Sequence, residues 1–242
     1  MTETAFGAEQ MSEPYPPGIE EHFWTFSRNR IILREIHAAE AKNGKLARIL
    51  EIGCGPGIVL KYLRAHGIDC EGVEPSSVAL PSDIAEKVRS GIDFFGVPEA
   101  ERKGYDALLL LDVLEHIAEP IDFLRQIRTA YPNARALIVT VPARNELWSN
   151  YDDHFGHFRR YSLRSLEAEL RAANYRSIDA RYFFHALYPV MFGIKLWAGR
   201  RSTTTRAPDK PRLHRFVADF FVLDARFLPK SLPGTSIIAC AT

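Results

Sequence analysis

Cysteine is scarce in this chain. Cys54, Cys70 and Cys240 are the only three in 242 residues, odd in number and far apart. No Cys-x-x-Cys pair and no Cys/His run with metal-ligand spacing occurs, which excludes a disulfide framework or zinc ribbon and points to a reducing, cytoplasmic setting. An excess of charge is missing too. The formal net charge is +1, so no global field draws nucleic acid. No apolar run reaches the ~18 residues of a membrane span, and no internal repeat is visible. Residues 1–18, MTETAFGAEQMSEPYPPG, hold neither a basic stretch nor an apolar run, and read as a mobile tail rather than a signal peptide. With 46% hydrophobic and 25% charged residues, the remainder reads as one globular domain over 19–242.

Within that domain, helical and strand patterns alternate. Residues 19–42 have helical periodicity and stop at Asn43-Gly44, a good helix terminator. Strands are expected over 47–52, 69–74, 92–95, 105–111, 136–141 and 175–184. Helices are expected over 58–66, 77–89, 120–130 and 163–173. Continuous apolar strands between helices indicate a parallel sheet covered on both faces. The last third differs. Asn145–Tyr161 reads as a long aromatic and charged loop. Residues 186–232 read as an insertion before a final strand over 236–242, and from Lys195 to Arg215 it carries seven Lys/Arg against one Asp.

The sharpest local signal is ILEIGCGPG, residues 49–57. A buried strand that ends in a glycine-rich turn and feeds a helix is how α/β sheets make nucleotide sites, because the glycines admit a ligand to the backbone and the helix offers free N–H groups. The spacing is G-x-G-x-G rather than the G-x-G-x-x-G of dinucleotide enzymes. The next strand ends in GVEP, setting Glu74 and Pro75 at its tip, where a carboxylate can accept both hydroxyls of a ribose. GIDFF offers Asp93 for an exocyclic adenine amine and Phe94 for its ring. YDALLLLDVLEHI then gives a strand with Asp112 at its tip, followed by Glu115-His116.

These four motifs together resemble the class I S-adenosylmethionine-dependent methyltransferases of the small-molecule type. The resemblance extends to EEHFWTFSRNRII near the start, VPARNELWSNYDDHFGHFRRYS after the fifth strand and LPGTSIIACAT at the end. It implies a Rossmann-like, doubly wound α/β sheet of seven strands in the order 3-2-1-4-5-7-6 with the last strand antiparallel. It implies S-adenosyl-L-methionine as cofactor, S-adenosyl-L-homocysteine as product and no metal. Residue by residue, it implies that Glu51, Gly53, Cys54, Gly55 and Gly57 line the methionine and ribose. Glu74 and Pro75 would hold the ribose and Asp93 and Phe94 the adenine, with Leu111 and Asp112 under the methionine arm. The helix over 19–42 either covers the cofactor, with Trp24 over it and Arg28 on its carboxylate, or packs its aromatics as an ordinary amphipathic helix.

Transfer to an oxygen also needs a proton removed, which favours a nearby imidazole or carboxylate. His157, with Asp152 as partner, is the first candidate for base or substrate-orienting group, and the alternative is a brace holding the loop to the sheet. His154 and His116 are further candidates, the latter with a capping role as its alternative. Trp148, Tyr151, Arg159, Arg160 and Tyr161 are the substrate-side candidates. The insertion either meets a membrane or lipid-linked substrate through 186–215 or caps the pocket. The overall expectation is methyl transfer to a hydroxyl of a small-molecule or lipid-linked acceptor in the cytoplasm or at the inner membrane face. Transfer to nitrogen or carbon is the first alternative, and a nicotinamide oxidoreductase or a silent cofactor-binding protein the others. Nucleic acid is not an expected partner, and the sequence carries no signal for an oligomeric state.

Overall fold

The strands with the most continuous apolar sequence lie mid-sheet, where both faces are covered. β1 (Ile49–Ile52), β4 (Ala107–Leu111) and β5 (Ala136–Pro142) run side by side in parallel. β2 (Cys70–Glu74) and β3 (Val88–Ser90) extend the sheet on the β1 side, also in parallel. On the other side β7 (Ser236–Ala241) inserts antiparallel between β5 and β6 (Ile178–Phe183). The order is therefore β3-β2-β1-β4-β5-β7-β6, as the resemblance implied. The computed structural model describes residues 15–198, 203 and 206–242. Residues 1–14 of the expected tail, and 199–202, 204 and 205 of the basic segment, lie outside the described residues.

Strand alternation divides the core between the two faces. Leu50, Leu108, Leu110, Leu137 and Val139 point to one face, under α4 (Pro120–Ala130) and α6 (Leu163–Ala172). Ile49, Leu109, Leu111 and Ile138 point to the other, under α1 (Phe23–Asn43), α2 (Ile58–Ala65) and α8 (Pro211–Phe227). Ile31, Ile32 and Ile36 of α1 are buried in that second core, so α1 is pinned across the sheet. Phe23 stacks on Phe221 of α8 with centroids 5.5 Å apart, and Arg215 donates to Glu21 at 2.9 Å. The short helices α3 (Glu99–Arg102) and α5 (Asn150–His154) sit in connections, and α7 (Leu187–Ala198) is the first half of the insertion.

Three expectations change. Residues 77–89 do not form a helix: Pro81 lacks an amide donor and disfavours helical geometry at Leu80, so only a 3₁₀ turn forms at Ala85–Lys87. The edge strand is Val88–Ser90, not 92–95. Gly91 turns at φ +79°, and its amide and that of Ile92 donate to the Glu74 carbonyl, taking the chain out of the sheet. The loop after β5 contains α5, closed by a capping box between Ser149 and Asp152.

Candidate active site

The C-terminal ends of β1, β2 and β4 meet where the sheet reverses its winding, the usual ligand position in such folds. Gly53, Gly55 and Gly57 have φ of +75°, +53° and +76°, a region costly for any side chain. A Cβ at Gly53 would lie 2.9 Å from Val113, and one at Gly57 would lie 2.4 Å from Ile84. The turn is held from below by Glu74, whose Oε2 accepts the Gly55 amide at 2.8 Å and whose Oε1 accepts the Ser76 amide at 2.9 Å. Glu74 is buried while Pro75 beside it is exposed. Cys54 packs its Sγ toward Gly72, and burial pushes its thiol far above the usual range, which leaves it a neutral packing group.

Glu51 is buried, and its Oε2 has no hydrogen-bond partner. Burial, with Arg28 opposing and Glu74 adding, pushes its carboxyl up to about 8. A buried acid left protonated and half-bonded at the end of a strand is poised to meet a cation. Arg28 crosses from α1, and its Nη2 bonds Asp112 at 2.7 Å and donates to Thr140 at 3.1 Å. Arg28 lies over the Trp24 ring at 5.2 Å. It therefore binds the tip of β4. Asp112 takes φ +59° and is fixed by Thr140, whose hydroxyl donates to it at 3.0 Å. Leu111 beneath it is core.

The adenine-side expectations change most. Asp93 is exposed and accepts the Phe95 and Gly96 amides at 2.9 and 3.1 Å, closing its own turn. Phe94 lies in the core against Phe123, so its ring presents no face to a ligand. Sequence reading also missed Tyr15, assigned to the tail. Its ring stands over Gly55, 3.6 Å from where a Cβ would lie. Burial raises its hydroxyl, which senses Arg28, Asp112, Tyr151 and Glu51. No motif marks it; only the folded chain brings it there.

Opposite the glycine turn, the loop after β5 folds back onto the tip of β4. The Phe158 amide donates to the Glu115 carbonyl at 2.7 Å, the Tyr161 hydroxyl to Leu114 at 3.3 Å and Arg159 to Ala118 at 2.7 Å. These bonds set His157 beside His116, ring centroids 4.7 Å apart and edge to face. Asp152, with no exposed surface, bonds His157 Nδ1 at 2.9 Å and accepts Arg160 Nε at 2.7 Å and the Ser149 amide at 2.9 Å. Burial alone would raise Asp152, yet His157 and Arg160 outweigh it and hold the carboxyl down near 2. As an anion, Asp152 accepts the Nδ1 proton and leaves Nε2 as the reactive nitrogen of His157. Burial, with His157 adding, lowers His116 to about 4. Burial and Asp112 raise Glu115 well above the carboxylate range.

The structure thus joins His116, His157 and Asp152 and adds Glu115, which sequence reading quoted but did not rank. Its signal was adjacency to His116. Arg160 and Tyr161 brace the loop rather than face a ligand. Trp148 donates to Asp153 at 2.9 Å, Tyr151 packs on Phe155 and His157, and His154 packs on Phe155.

Comparison with known proteins agrees with this geometry. The family model described as a methyltransferase domain matches residues 23–180, more than half of the chain. Ubiquinone biosynthesis O-methyltransferase of Roseobacter denitrificans is 34% identical over 83 residues, 32% of this chain and 34% of that protein. The protein of that name from Bradyrhizobium diazoefficiens is 29% identical over 110 residues, 43% of this chain and 42% of its own length. The chain thus spans a third to two fifths of the curated relatives it matches first. Among solved structures, Haemonchus contortus phosphoethanolamine N-methyltransferase 2, in complex with phosphomonomethylethanolamine and S-adenosylhomocysteine, superposes with a TM-score of 0.56 at 13% identity. That match covers 98% of this chain and 57% of the other, and speaks for the fold. With the sheet order, the glycine turn and the family match in agreement, this chain belongs to the methyltransferase-domain family and has the class I methyltransferase fold.

Proposed function

We propose that the chain transfers a methyl group from S-adenosylmethionine to a hydroxyl oxygen of a small-molecule or lipid-linked acceptor. The observation that carries this reading is the His157–Asp152 pair, set beside His116 and Glu115 just beyond the tip of β4. An amine can attack as its neutral base, but a hydroxyl must lose a proton, and an oriented, buried imidazole cluster serves that need. The naming of the curated relatives as O-methyltransferases supports it. The test is methyl transfer to a hydroxyl-bearing acceptor and its loss in His157→Ala, expected to be roughly 10²-fold or more.

The residues present fit the cofactor. Glu51 has an orphaned buried oxygen, suited to an ammonium; Glu74 suits the ribose hydroxyls; the three glycines leave the backbone open. When bound, S-adenosylmethionine supplies a methyl group on a positively charged sulfur. The protein's part is to hold the two ends, keep the acceptor oxygen in line and take charge of its proton. Tyr15, whose ring stands over Gly55, would cover that end of the cofactor.

Glu51 makes cofactor binding depend on pH. Its folded value is raised to about 8, so at pH 7 it holds a proton that pairing with an ammonium must expel. Affinity should therefore tighten as pH rises from 6 toward 8. Calorimetry at pH 7 in buffers of different ionisation enthalpy should show close to one proton released per cofactor, and none for Glu51→Gln. Equal release by both proteins would remove Glu51 from the ammonium.

A lipid-linked acceptor is favoured by the insertion. Trp197 of α7 is 94% exposed, and Phe216 and Phe227 of α8 are each 72% exposed, with Lys210 and Arg212 close by in sequence. Aromatics beside cations suit an anionic bilayer surface; among the described residues no helix is long and apolar enough to cross one. Replacing Trp197 and Phe216 by serine should cut co-sedimentation with anionic vesicles roughly tenfold or more, from ~1.5–3 kcal/mol per apolar side chain, at an unchanged melting temperature. Undiminished sedimentation would make the insertion a pocket cap.

A further inference from the structure

We infer that Glu115, His116 and His157 form a divalent-cation site whose open coordination positions take the acceptor's hydroxyl oxygen. The use of the cation rests on the oxygen-methylation reading above; the site itself does not. One ligand atom from each of the three residues lies within 4.8 Å of the others, so small side-chain rotations bring them to a common ion.

Three independent features set this cluster apart from a chance meeting of polar groups. His157 already has the support that ligating histidines need. Its Nδ1 bonds the carboxylate of Asp152 at 2.9 Å, leaving Nε2 toward the cluster, and Asp152 is itself pinned by Arg160 and Ser149. A carboxylate behind a histidine fixes tautomer and ring and raises ligand basicity. Next, Glu115 is buried to 1% exposure, and its Oε2 has no hydrogen-bond partner. A buried carboxylate oxygen with nothing to bond is costly unless something positive arrives. Finally, the site is held from both sides, because the Phe158 amide bonds the Glu115 carbonyl at 2.7 Å and ties the loop carrying His157 to the turn carrying the other two ligands.

Two imidazoles and one carboxylate suit borderline divalent ions such as Mn²⁺, Fe²⁺, Co²⁺ or Zn²⁺ better than the all-oxygen shell Ca²⁺ prefers. Three protein ligands also leave coordination positions open, the arrangement of catalytic rather than structural sites. A hydroxyl bound there loses its proton far more readily, as metal-bound water does, falling from 15.7 to about 7. The proton passes to solvent on coordination, and the oxygen is presented to the methyl group as an anion. His116 and His157 then serve as ligands, and the ion takes over the proton-removing task assigned above to the imidazole cluster.

The test is titration of the full chain with Mn²⁺ alone, without cofactor or acceptor, following the resonance of free Mn²⁺. One equivalent should bind in the micromolar range, and Glu115→Gln and His157→Gln should each weaken it at least tenfold while far-UV dichroism stays unchanged. Co²⁺ at the same site should show visible bands that either substitution removes. Absence of saturable binding by the folded chain up to millimolar Mn²⁺ and Co²⁺, or binding indifferent to both substitutions, overturns the site. With the ion bound, chelation should abolish oxygen methylation. Oxygen methylation undiminished by chelator overturns the role of the ion, whereas a bound ion with methylation only at nitrogen overturns the oxygen reading and leaves the site standing.

Discussion

Asp152→Ala should cost about 3–5 kcal/mol of folding stability, the usual penalty for removing one partner of a buried ion pair. Asp152 is fully buried and is the carboxylate for both Arg160 and His157. The Arg160 side chain is 5% exposed, so without Asp152 its charge is stranded with only the Ala143 carbonyl, at 3.1 Å. Ser149 loses the acceptor for its amide as well, opening the capping box of α5. For a chain of this size the loss corresponds to a fall of roughly 6–20 °C in melting temperature. The pH dependence has a definite sign. The folded value of Asp152 is depressed to about 2 from 3.8, so its contribution is present above about pH 4 and is lost as pH falls through 2. Asp152→Asn keeps the shape and should fold, but it frees His157 from its fixed tautomer. Turnover should then fall about 10- to 100-fold with little change in cofactor affinity, as for a group that acts by positioning another. Calorimetric melting of Asp152→Ala within 2 °C of the wild type would show that the loop is held by something else.

Glu74→Ala should weaken S-adenosylmethionine binding by about 10- to 150-fold, from ~1.5–3 kcal/mol for hydrogen bonds to a charged group. Two losses combine. A ribose held as proposed would lose its acceptor, and the Gly55 and Ser76 amides lose the oxygens that fix the turn. Glu74→Gln separates the two, since its carbonyl can keep one amide in place while the charge is gone. Its loss should be smaller and still measurable. Unchanged calorimetric affinity in Glu74→Ala would move the ribose elsewhere.

Which parts of this site are readable before folding follows from how local each one is. The glycine turn is local: Gly53, Gly55 and Gly57 need only their own backbone angles and the strand before them. The sheet order was implied by the family resemblance; the residues themselves indicate only a parallel sheet covered on both faces, through the largely apolar central strands. The edge near β3 did not read through, since Ser77–Arg89 has helix-compatible composition around one decisive Pro81. Asp93 and Phe94 were placed by a strand that lies four residues earlier, at Val88–Ser90. Arg28 was assigned to the cofactor carboxylate in sequence because its partner Asp112 lies far along the chain and meets it only in the folded protein. Glu115 stayed unranked for the same reason. Its meaning comes from the loop around His157, some forty residues on, which folds back and bonds its carbonyl. Tyr15 reaches Gly55 from a stretch with no periodicity at all.

The most direct test of the account is a transfer assay with methyl-labelled S-adenosylmethionine, Mn²⁺ and an extract of small molecules and lipids from the host. Products are partitioned between organic and aqueous phases at acid and alkaline pH. The account predicts label in the organic phase at both pH values, as a neutral methyl ether, and its disappearance with His157→Ala. Label that enters the organic phase only at alkaline pH would be a methylated amine and would contradict transfer to oxygen.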